Sequence, residues 1–335
     1  MREVTFLKQN AERWQTFETM LAQRDAADPD ALAELYVRLT DDLAYAKTFY
    51  AGSKTTAYLN TLTSRVHQLI YRNKKEKTSR FVTFWRDELP RLMYGVRVEL
   101  LCAFLVFTLA ALIGALSAAN DDGFVRLIMG DTYVNMTLEN IKQGDPLAVY
   151  KKMNEIDMFF GITFNNIRVS FFAFVAGVVF AFGTALILFY NGVMLGAFQY
   201  FFHQQGLLLP SALTIWIHGT LEISAIIIAG AAGFVMGRSL LFPGTFTRGQ
   251  AFMRGAKNGL KIVLGLIPIF ITAGFLEGFV TRHTAMPAAL SAAIIASSLL
   301  FIVGYFIIYP IHLNRREEGH GNHRENQFSP SARLQ

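Results

Sequence analysis

Hydrophobic positions follow two different patterns along the chain. Up to about Glu99 they recur at steps of three and four among charged residues, which is typical of amphipathic helices. Beyond that point they form continuous blocks, and a run of about 18 or more apolar residues predicts a membrane-spanning helix. The pattern therefore predicts an all-α protein, with a helical domain at 1–94 and a polytopic transmembrane helix bundle at 95–312.

The N-terminal segment is predicted to form three or four helices. Asp28-Pro29 supplies an N-cap followed by proline in the first turn of a helix. Two apolar stripes at helical spacing, expected to pack with Trp14 and Phe17 into a cytoplasmic bundle, consist of Leu32, Leu35, Leu39, Leu43 and Ala46, and of Leu59, Leu62, Val66 and Leu69. The aromatic and arginine-rich stretch 80–94 indicates either an interfacial helix lying on the bilayer or the last helix of this bundle.

Five apolar blocks are long enough to cross a bilayer, namely 96–116, 164–190, 211–236, 260–280 and 288–309. The mixed-charge stretch 117–160 is predicted to be a partly helical loop on the far face. Asn191-Gly192 reads as a tight turn. The apolar segment 193–202 after it is short, so it is expected to be a short crossing or a re-entrant helix.

The distribution of Lys and Arg predicts the topology. Basic residues cluster before the first block, between about Arg238 and Lys261, and at Arg315 and Arg316. The positive-inside rule places all three clusters in the cytoplasm, which requires six crossings with both termini inside. Five crossings with an outside C-terminus is the alternative. The polar tail 313–335 is predicted to be disordered.

Composition narrows the function classes. The chain has 335 residues, of which 53% are hydrophobic, and a net charge of +6 that cytoplasmic loops of a membrane protein account for. We expect no nucleic-acid binding, because the only basic stretch near the first block is short. The single cysteine, Cys102, excludes an intrachain disulfide, and no Walker-type loop is present. No cofactor is expected.

Ionisable residues inside the apolar blocks form the candidate site. His218 and Glu222 are four residues apart and therefore share a helix face. Each costs roughly 2.5–3.5 kcal/mol on insertion at mid-membrane and so requires a reason. They are read either as a proton, ion or substrate site or as a hydrogen-bonded network that fixes helix register. The other candidate members of this polar set are Glu277, Asn165, Asn166, Arg168 and Asn191. Arg168 and Glu277 are expected near span ends, where they pair or snorkel.

Glycines in the same blocks predict close helix packing, because small residues let helix backbones approach in lipid. The small and polar stripes around Asn166 and around His218 are expected to face each other. The glycines assigned to helix packing are Gly177, Gly192, Gly196, Gly219, Gly233, Gly237, Gly274 and Gly278.

The order of motifs resembles the stage II sporulation protein M (SpoIIM) family of bacterial integral membrane proteins. An Asn-rich span entry at Asn165 and Asn166, the Asn191-Gly192 pair, IHGTLE around His218 and AGFLEGF around Glu277 carry the resemblance. It covers roughly 95–312 and implies a membrane scaffold, which in endospore formers recruits cell-wall hydrolases during engulfment. The long N-terminal helical domain departs from the compact sporulation protein.

The sequence thus supports two hypotheses. The first is a non-enzymatic scaffold or complex subunit in the bacterial inner membrane, with protein partners and a homodimeric state. The second is a transporter or permease component that uses His218 and Glu222. A zinc-dependent intramembrane hydrolase requires a third ligand near His218, and no His-Glu-x-x-His motif provides it. The expected site therefore holds no metal.

Overall fold

The computed structural model describes residues 2–22, 29–72, 79–151, 154–284 and 286–316. Every regular element within these ranges is a helix, which confirms the predicted all-α class. The chain divides into two compact units between Arg80 and Phe81. The predicted domain boundary at 94 lies inside the second unit.

The first unit contains helices α1 (Glu3–Ala22), α2 (Pro29–Phe49) and α3 (Lys54–Arg72). Its core confirms the predicted stripes where the side chains are described, and consists of Phe6, Trp14, Phe17, Leu39, Leu43, Ala46, Leu59, Leu62 and Val66. The side chains of Leu32, Leu35 and Leu69, and residue Asp28 of the predicted N-cap, lie outside the described part of the structure. Asp42 accepts hydrogen bonds from Trp14 Nε1 at 2.8 Å and from Arg13 at 2.5 Å, which joins α1 to α2.

The stretch that leads into the second unit consists of α4 (Ser79–Thr83), a π-helical turn (Phe84–Glu88) and α5 (Leu89–Gly95). Leu89 and Met93 are fully buried in the core of the second unit. The Tyr305 hydroxyl donates to the Trp85 carbonyl at 2.5 Å, and Glu88 pairs with Lys261. This stretch therefore packs against the transmembrane helices, an arrangement that neither sequence interpretation described.

The remaining helices are α6 (Arg97–Asn120), α7 (Asp122–Met129), α8 (Asp131–Lys142), α9 (Glu155–Val175), α10 (Phe182–Gln204), α11 (Leu208–Leu241), α12 (Arg248–Phe275) and α13 (Ala288–Val303). Short 3₁₀ or π turns extend α9 and α12 to Val178 and Thr281, and a π turn at Gly304–Ile308 continues α13, whose helix runs on to Arg316. In the described part of the chain, six of these helices are long and apolar enough to cross a membrane, namely α6 and α9–α13. The protein is therefore a multi-pass membrane protein, with the crossing number that was predicted.

The boundary between the second and third spans differs from the prediction. The chain reverses at Val179–Ala181, where Phe180 and Ala181 adopt positive φ angles of 50° and 68°. Asn191 and Gly192 lie within α10, because Gly192 packs against Phe107 and Ala110 of α6. The third span consequently has 23 residues, about 34 Å of helix, and is neither short nor re-entrant.

The bundle has two ends, which we name by their connections. The loop-side end carries α7, α8 and the α10–α11 turn, and a small core there joins them through Val125, Val134 and Phe201. The hairpin-side end carries the Val179–Ala181 turn and the α11–α12 loop. There Glu99 of α6, only 5% exposed, pairs with Arg238 of α11. The predicted loop 117–160 is mostly helical, and its last residues already belong to α9.

Helix α11 is the central element of the bundle. It has 34 residues and contacts α6, α9, α10, α12 and α13. Its most apolar window is 72% buried, compared with 22% for α6 and 17% for α13. A lipid-facing helix keeps one side exposed, whereas α11 is surrounded by protein and can carry polar side chains into the bundle.

Candidate functional site

Three ionisable side chains meet between α11 and the end of α12. His218 Nε2 lies 3.6 Å from Glu277 Oε2, and His218 is buried. One ligand-type atom from each of His218, Glu222 and Glu277 lies within 4.8 Å of the other two. The structure therefore brings together two residues that helical spacing paired and a third that lies far away in sequence.

Thr281 is a member of this cluster that sequence reasoning missed. His218 Nδ1 and Thr281 Oγ1 are 3.0 Å apart and both side chains are buried. Thr281 follows Glu277 by four residues, so the same-face rule that paired His218 with Glu222 would have indicated it. This hydrogen bond fixes the plane of the imidazole ring.

Glu277 and Thr281 both lie in a π-helical turn, Leu276–Thr281, that continues α12. A π turn changes the angular register of the side chains that follow it, and such turns are frequent at functional sites. Here the turn keeps Glu277 and Thr281 together on the side that meets α11. The local sequence contains no signal that predicts this π turn.

Helix α9 contributes a polar stripe that faces α11. Asn166 is 4% exposed, and its side chain faces the Glu222 carboxyl group. Its Nδ2 atom has no partner in good hydrogen-bond geometry among the described residues. The Thr163 and Ser170 hydroxyl groups on the same stripe are buried without a partner as well. The α9 side of the cluster is thus polar, and several of its described side-chain atoms lack a hydrogen-bond partner.

A cavity of about 460 Å³ adjoins the cluster. It lies between α9, α10 and α11, and residues of α6, α7 and α8 complete its wall. The walls are mostly apolar, and the polar groups that converge on it are Asn165, Asn166, Asn191, His218, Glu222 and Glu277. A largely apolar cavity with a few convergent polar groups is the usual form of a binding site.

The other predicted site residues have different surroundings. Asn191 lines the cavity and donates to the Ile187 carbonyl of its own helix at 2.8 Å. Asn165 lines the cavity mouth and is exposed. Arg168 lies near the middle of its span, not at a span end as expected, and is exposed on the outer face of α9. Arg168 is therefore not a member of the cluster.

Most of the predicted packing glycines lie where two helices touch. A Cβ atom on Gly177 would collide with the Gly233 backbone, and one on Gly233 would collide with Thr184 and Ala173. The other close contacts join Gly192 to Phe107, Gly196 to Ala111, Gly237 to Ala181, Gly274 to Thr163 and Gly278 to Glu155. The facing stripes of α9 and α11 thus meet.

Gly219 is the exception among these glycines. A Cβ atom there would meet only Ile223 Cδ1 of its own helix, at 3.9 Å. Gly219 lines the cavity beside His218. Its lack of a side chain leaves space next to the cluster and does not bring two helices together, so its assignment to helix packing is corrected.

Comparisons with known proteins agree with the two-unit division. The family model of stage II sporulation protein M matches residues 103–282, which is more than half of the chain and includes the whole cluster. A model described as a domain of unknown function (DUF8413) matches residues 4–72. No curated protein and no solved structure matches the chain.

Proposed function

The chain belongs to the stage II sporulation protein M family, and from that premise we propose that it is a non-enzymatic scaffold or complex subunit of the bacterial inner membrane. Its spans would hold a protein partner, while the N-terminal helical unit and the α7–α8 segment would be available to others. One observation carries the proposal: a charged side chain faces outward in the middle of a span.

That side chain is Arg168. The outer face of α9 carries an exposed stripe, which includes Phe160, Phe164, Asn165, Arg168, Phe171, Phe172 and Val175. Among the described residues, no carboxylate lies within ion-pair distance of Arg168. Intramembrane arginines normally face the interior of a bundle and pair there, since exposure to hydrocarbon costs at least about 2.5 kcal/mol. A partner helix that carries a carboxylate would satisfy Arg168 and cover the aromatic rings.

The charge distribution supports the proposed orientation. Arg238, Arg248 and Arg254 lie at the hairpin-side end of the bundle, as do the basic residues that precede α6 and follow α13. Positive residues accumulate on the cytoplasmic side. We therefore place the hairpin-side end and both termini in the cytoplasm, with α7 and α8 on the opposite face.

Packing of α11 favours a scaffold over a conduit. Its hairpin-side half touches α9 and the hairpin directly through Gly233 and Gly237. The cavity adjoins the loop-side half. A transport pathway requires access from both faces in turn. The contacts at Gly233 and Gly237 close the hairpin-side end, so they would have to separate before such a pathway could open.

The test is site-specific photocrosslinking in native membranes. A photoreactive phenylalanine at Phe164 or Phe172, which flank Arg168, should crosslink to one protein, either a second copy or a distinct membrane protein. The Arg168→Leu substitution should reduce that crosslink about 10-fold, because losing about 1.4 kcal/mol of pairing lowers an association constant tenfold.

The matched control places the same photoreactive group at Leu300, a lipid-facing residue of α13 that is 73% exposed. It should label lipid only. Equal protein labelling at Leu300 and Phe172 would contradict the proposal. A crosslink yield at Phe172 that does not change in the Arg168→Leu variant would contradict it as well.

Transport is the second candidate, and the cavity beside the polar cluster favours it. A permease component would use Glu222 as its cation or proton relay. In proteoliposomes, ion flux that depends on the wild-type chain and disappears in a normally folded Glu222→Gln variant would support transport and displace the scaffold. Absence of flux in wild-type vesicles would remove this candidate.

A further inference from the structure

We propose that His218, Glu222 and Glu277, with Asn166 as an additional ligand, bind a divalent transition-metal cation of the Zn²⁺ class. The site would join α9, α11 and the π turn after α12. This inference is independent of the scaffold and transport proposals, because it concerns only what the cluster binds.

The geometry of the three donors suits such an ion. Ligand atoms about 2.0–2.2 Å from a tetrahedral zinc lie about 3.3–3.6 Å from one another. His218 Nε2 and Glu277 Oε2 are already 3.6 Å apart, and all three donors lie within 4.8 Å of each other. A shift of the carboxylate oxygens by about 1 Å, through side-chain rotation alone, therefore brings the three donors to the spacing of zinc ligands.

The hydrogen bond to Thr281 prepares His218 for this role. Metal-binding histidines usually use their second ring nitrogen in a hydrogen bond that fixes the tautomer and the ring plane. With Nδ1 held by Thr281 Oγ1 at 3.0 Å, Nε2 faces Glu277. In the tautomer that protonates Nδ1 and donates to Thr281, the Nε2 lone pair is directed towards Glu277, and a cation between these two acceptors would bind to both.

Asn166 is the independent observation that points to a ligand. It is 4% exposed, lines the same cavity and faces Glu222, yet its Nδ2 atom has no satisfactory partner among the described residues. A buried amide without a hydrogen-bond partner destabilises the folded protein. The Asn166 oxygen and nitrogen exchange places by a flip of χ2, so the amide can present its oxygen to a metal ion.

The donor set selects the class of ion. One imidazole nitrogen favours Zn²⁺, Fe²⁺ or similar ions, while Mg²⁺ and Ca²⁺ prefer all-oxygen sites. The protein offers three strong ligands and one amide, and the adjoining cavity leaves room for a water molecule or a small anion on the metal.

The experiment is a Zn²⁺ titration of the full-length protein, purified in detergent without a histidine tag and stripped with a chelator. His320 and His323 of the tail are replaced by alanine to lower non-specific binding. We expect about one Zn²⁺ per chain and a melting temperature raised by about 5 °C or more at saturation. Mg²⁺ in large excess should not displace the Zn²⁺.

Variants test each ligand. His218→Ala, Glu222→Leu and Glu277→Gln should each weaken Zn²⁺ binding by more than about 10-fold, and Thr281→Val by about 10-fold through loss of ring orientation. Glu222→His should retain binding, because imidazole replaces a carboxylate as a zinc ligand. Glu99→Gln, a buried glutamate that pairs with Arg238 at the other end of α11, is the matched control and should bind Zn²⁺ normally.

Three results would overturn the assignment. They are a folded wild-type chain that binds no Zn²⁺, Zn²⁺ binding that survives in a folded His218→Ala, Glu277→Gln double variant, and displacement of Zn²⁺ by Mg²⁺. Elution of each variant as a single symmetric peak in gel filtration identifies the folded ones. Where a ligand variant loses folding, the test depends on the wild-type titration and on Glu222→His, which should fold and bind Zn²⁺.

Discussion

The two halves of α11 use the same kinds of small residue for opposite purposes. In the hairpin-side half, Gly233 and Gly237 bring α9 and the Val179–Ala181 turn into backbone contact. In the loop-side half, Gly219 touches only its own helix and leaves space beside His218 and Glu222. One half is close-packed, and the other is polar and lines a cavity.

This difference indicates where stability and function reside. Without an aqueous hydrophobic effect between helices, a membrane bundle depends on close packing, and the glycine contacts provide it. Buried polar groups without full partners lower stability and persist at functional sites. Among the described residues, Thr163, Asn166 and Ser170 on the α9 stripe that faces α11 are in that condition. We expect mutations in the two halves to have effects of opposite sign.

The largest effect should come from Gly233→Leu. A side chain at this position would collide with Thr184 and with the Ala173 carbonyl, and Thr184 itself donates to that carbonyl at 2.7 Å. Because the obstacle includes backbone, the helices have to separate, and we expect a loss of about 3 kcal/mol or more in the free energy of unfolding. Unfolding in mixed micelles by increasing detergent strength measures it.

The control for that prediction is Gly161→Leu on α9. Gly161 is exposed and an added Cβ atom there has no neighbour within 4 Å. A stability change as large as that of Gly233→Leu would mean that general insertion of the chain, and not the α9–α11 contact, determines the result.

A smaller loss is expected for Gly237→Ala, and it should depend on Ala181. The added methyl group meets the backbone nitrogen and the Cβ atom of Ala181, which lies in a left-handed conformation with a φ of 68°. We expect a loss of about 2 kcal/mol in the wild-type background. In the Ala181→Gly background the loss should shrink by about 1 kcal/mol, because one obstacle is gone. Additive effects would show that the two residues do not touch.

Sequence reasoning predicted the parts of this architecture that local pattern encodes. Helical spacing placed His218 and Glu222 on one face, and the small stripes indicated that α9 meets α11. It misplaced the hairpin, because Asn191-Gly192 is a turn signal that close packing against Phe107 overrides. The actual reversal at Phe180 and Ala181 contains no turn residue and is selected by tertiary contacts.

The third member of the cluster, Glu277, was named as a candidate, but local pattern did not determine its contact with His218. Glu277 appeared in the sequence as a charge near a span end, and only the π turn Leu276–Thr281 decides that it meets His218 and not lipid. Arg168 was misplaced for a related reason, since its position in the span followed from the wrong hairpin. The misplaced hairpin and the misplaced Arg168 both concern register between helices, which hydrophobicity alone does not determine.

The opposite sign is expected for Asn166→Leu. Leucine has a similar size, fills the same place on α9 and removes a buried amide whose Nδ2 lacks a partner. We expect the metal-free protein to gain about 1 kcal/mol in the free energy of unfolding. The gain should disappear when Zn²⁺ is added, because only the wild-type amide then has a ligand to bind. A loss in the metal-free state would mean that the Asn166–Glu222 contact is already satisfied.

The smallest effect should come from Gly219→Ala, which makes it the most direct probe of the contrast within α11. An alanine Cβ meets only Ile223 Cδ1 at 3.9 Å, an ordinary van der Waals contact. Alanine also has the higher helix propensity. We therefore expect the free energy of unfolding to change by no more than about 0.5 kcal/mol, whereas the same substitution at Gly237 costs about 2 kcal/mol. Equal losses at both positions would mean that the loop-side half closes around Gly219 in the membrane, and the cavity would then be absent from the folded protein.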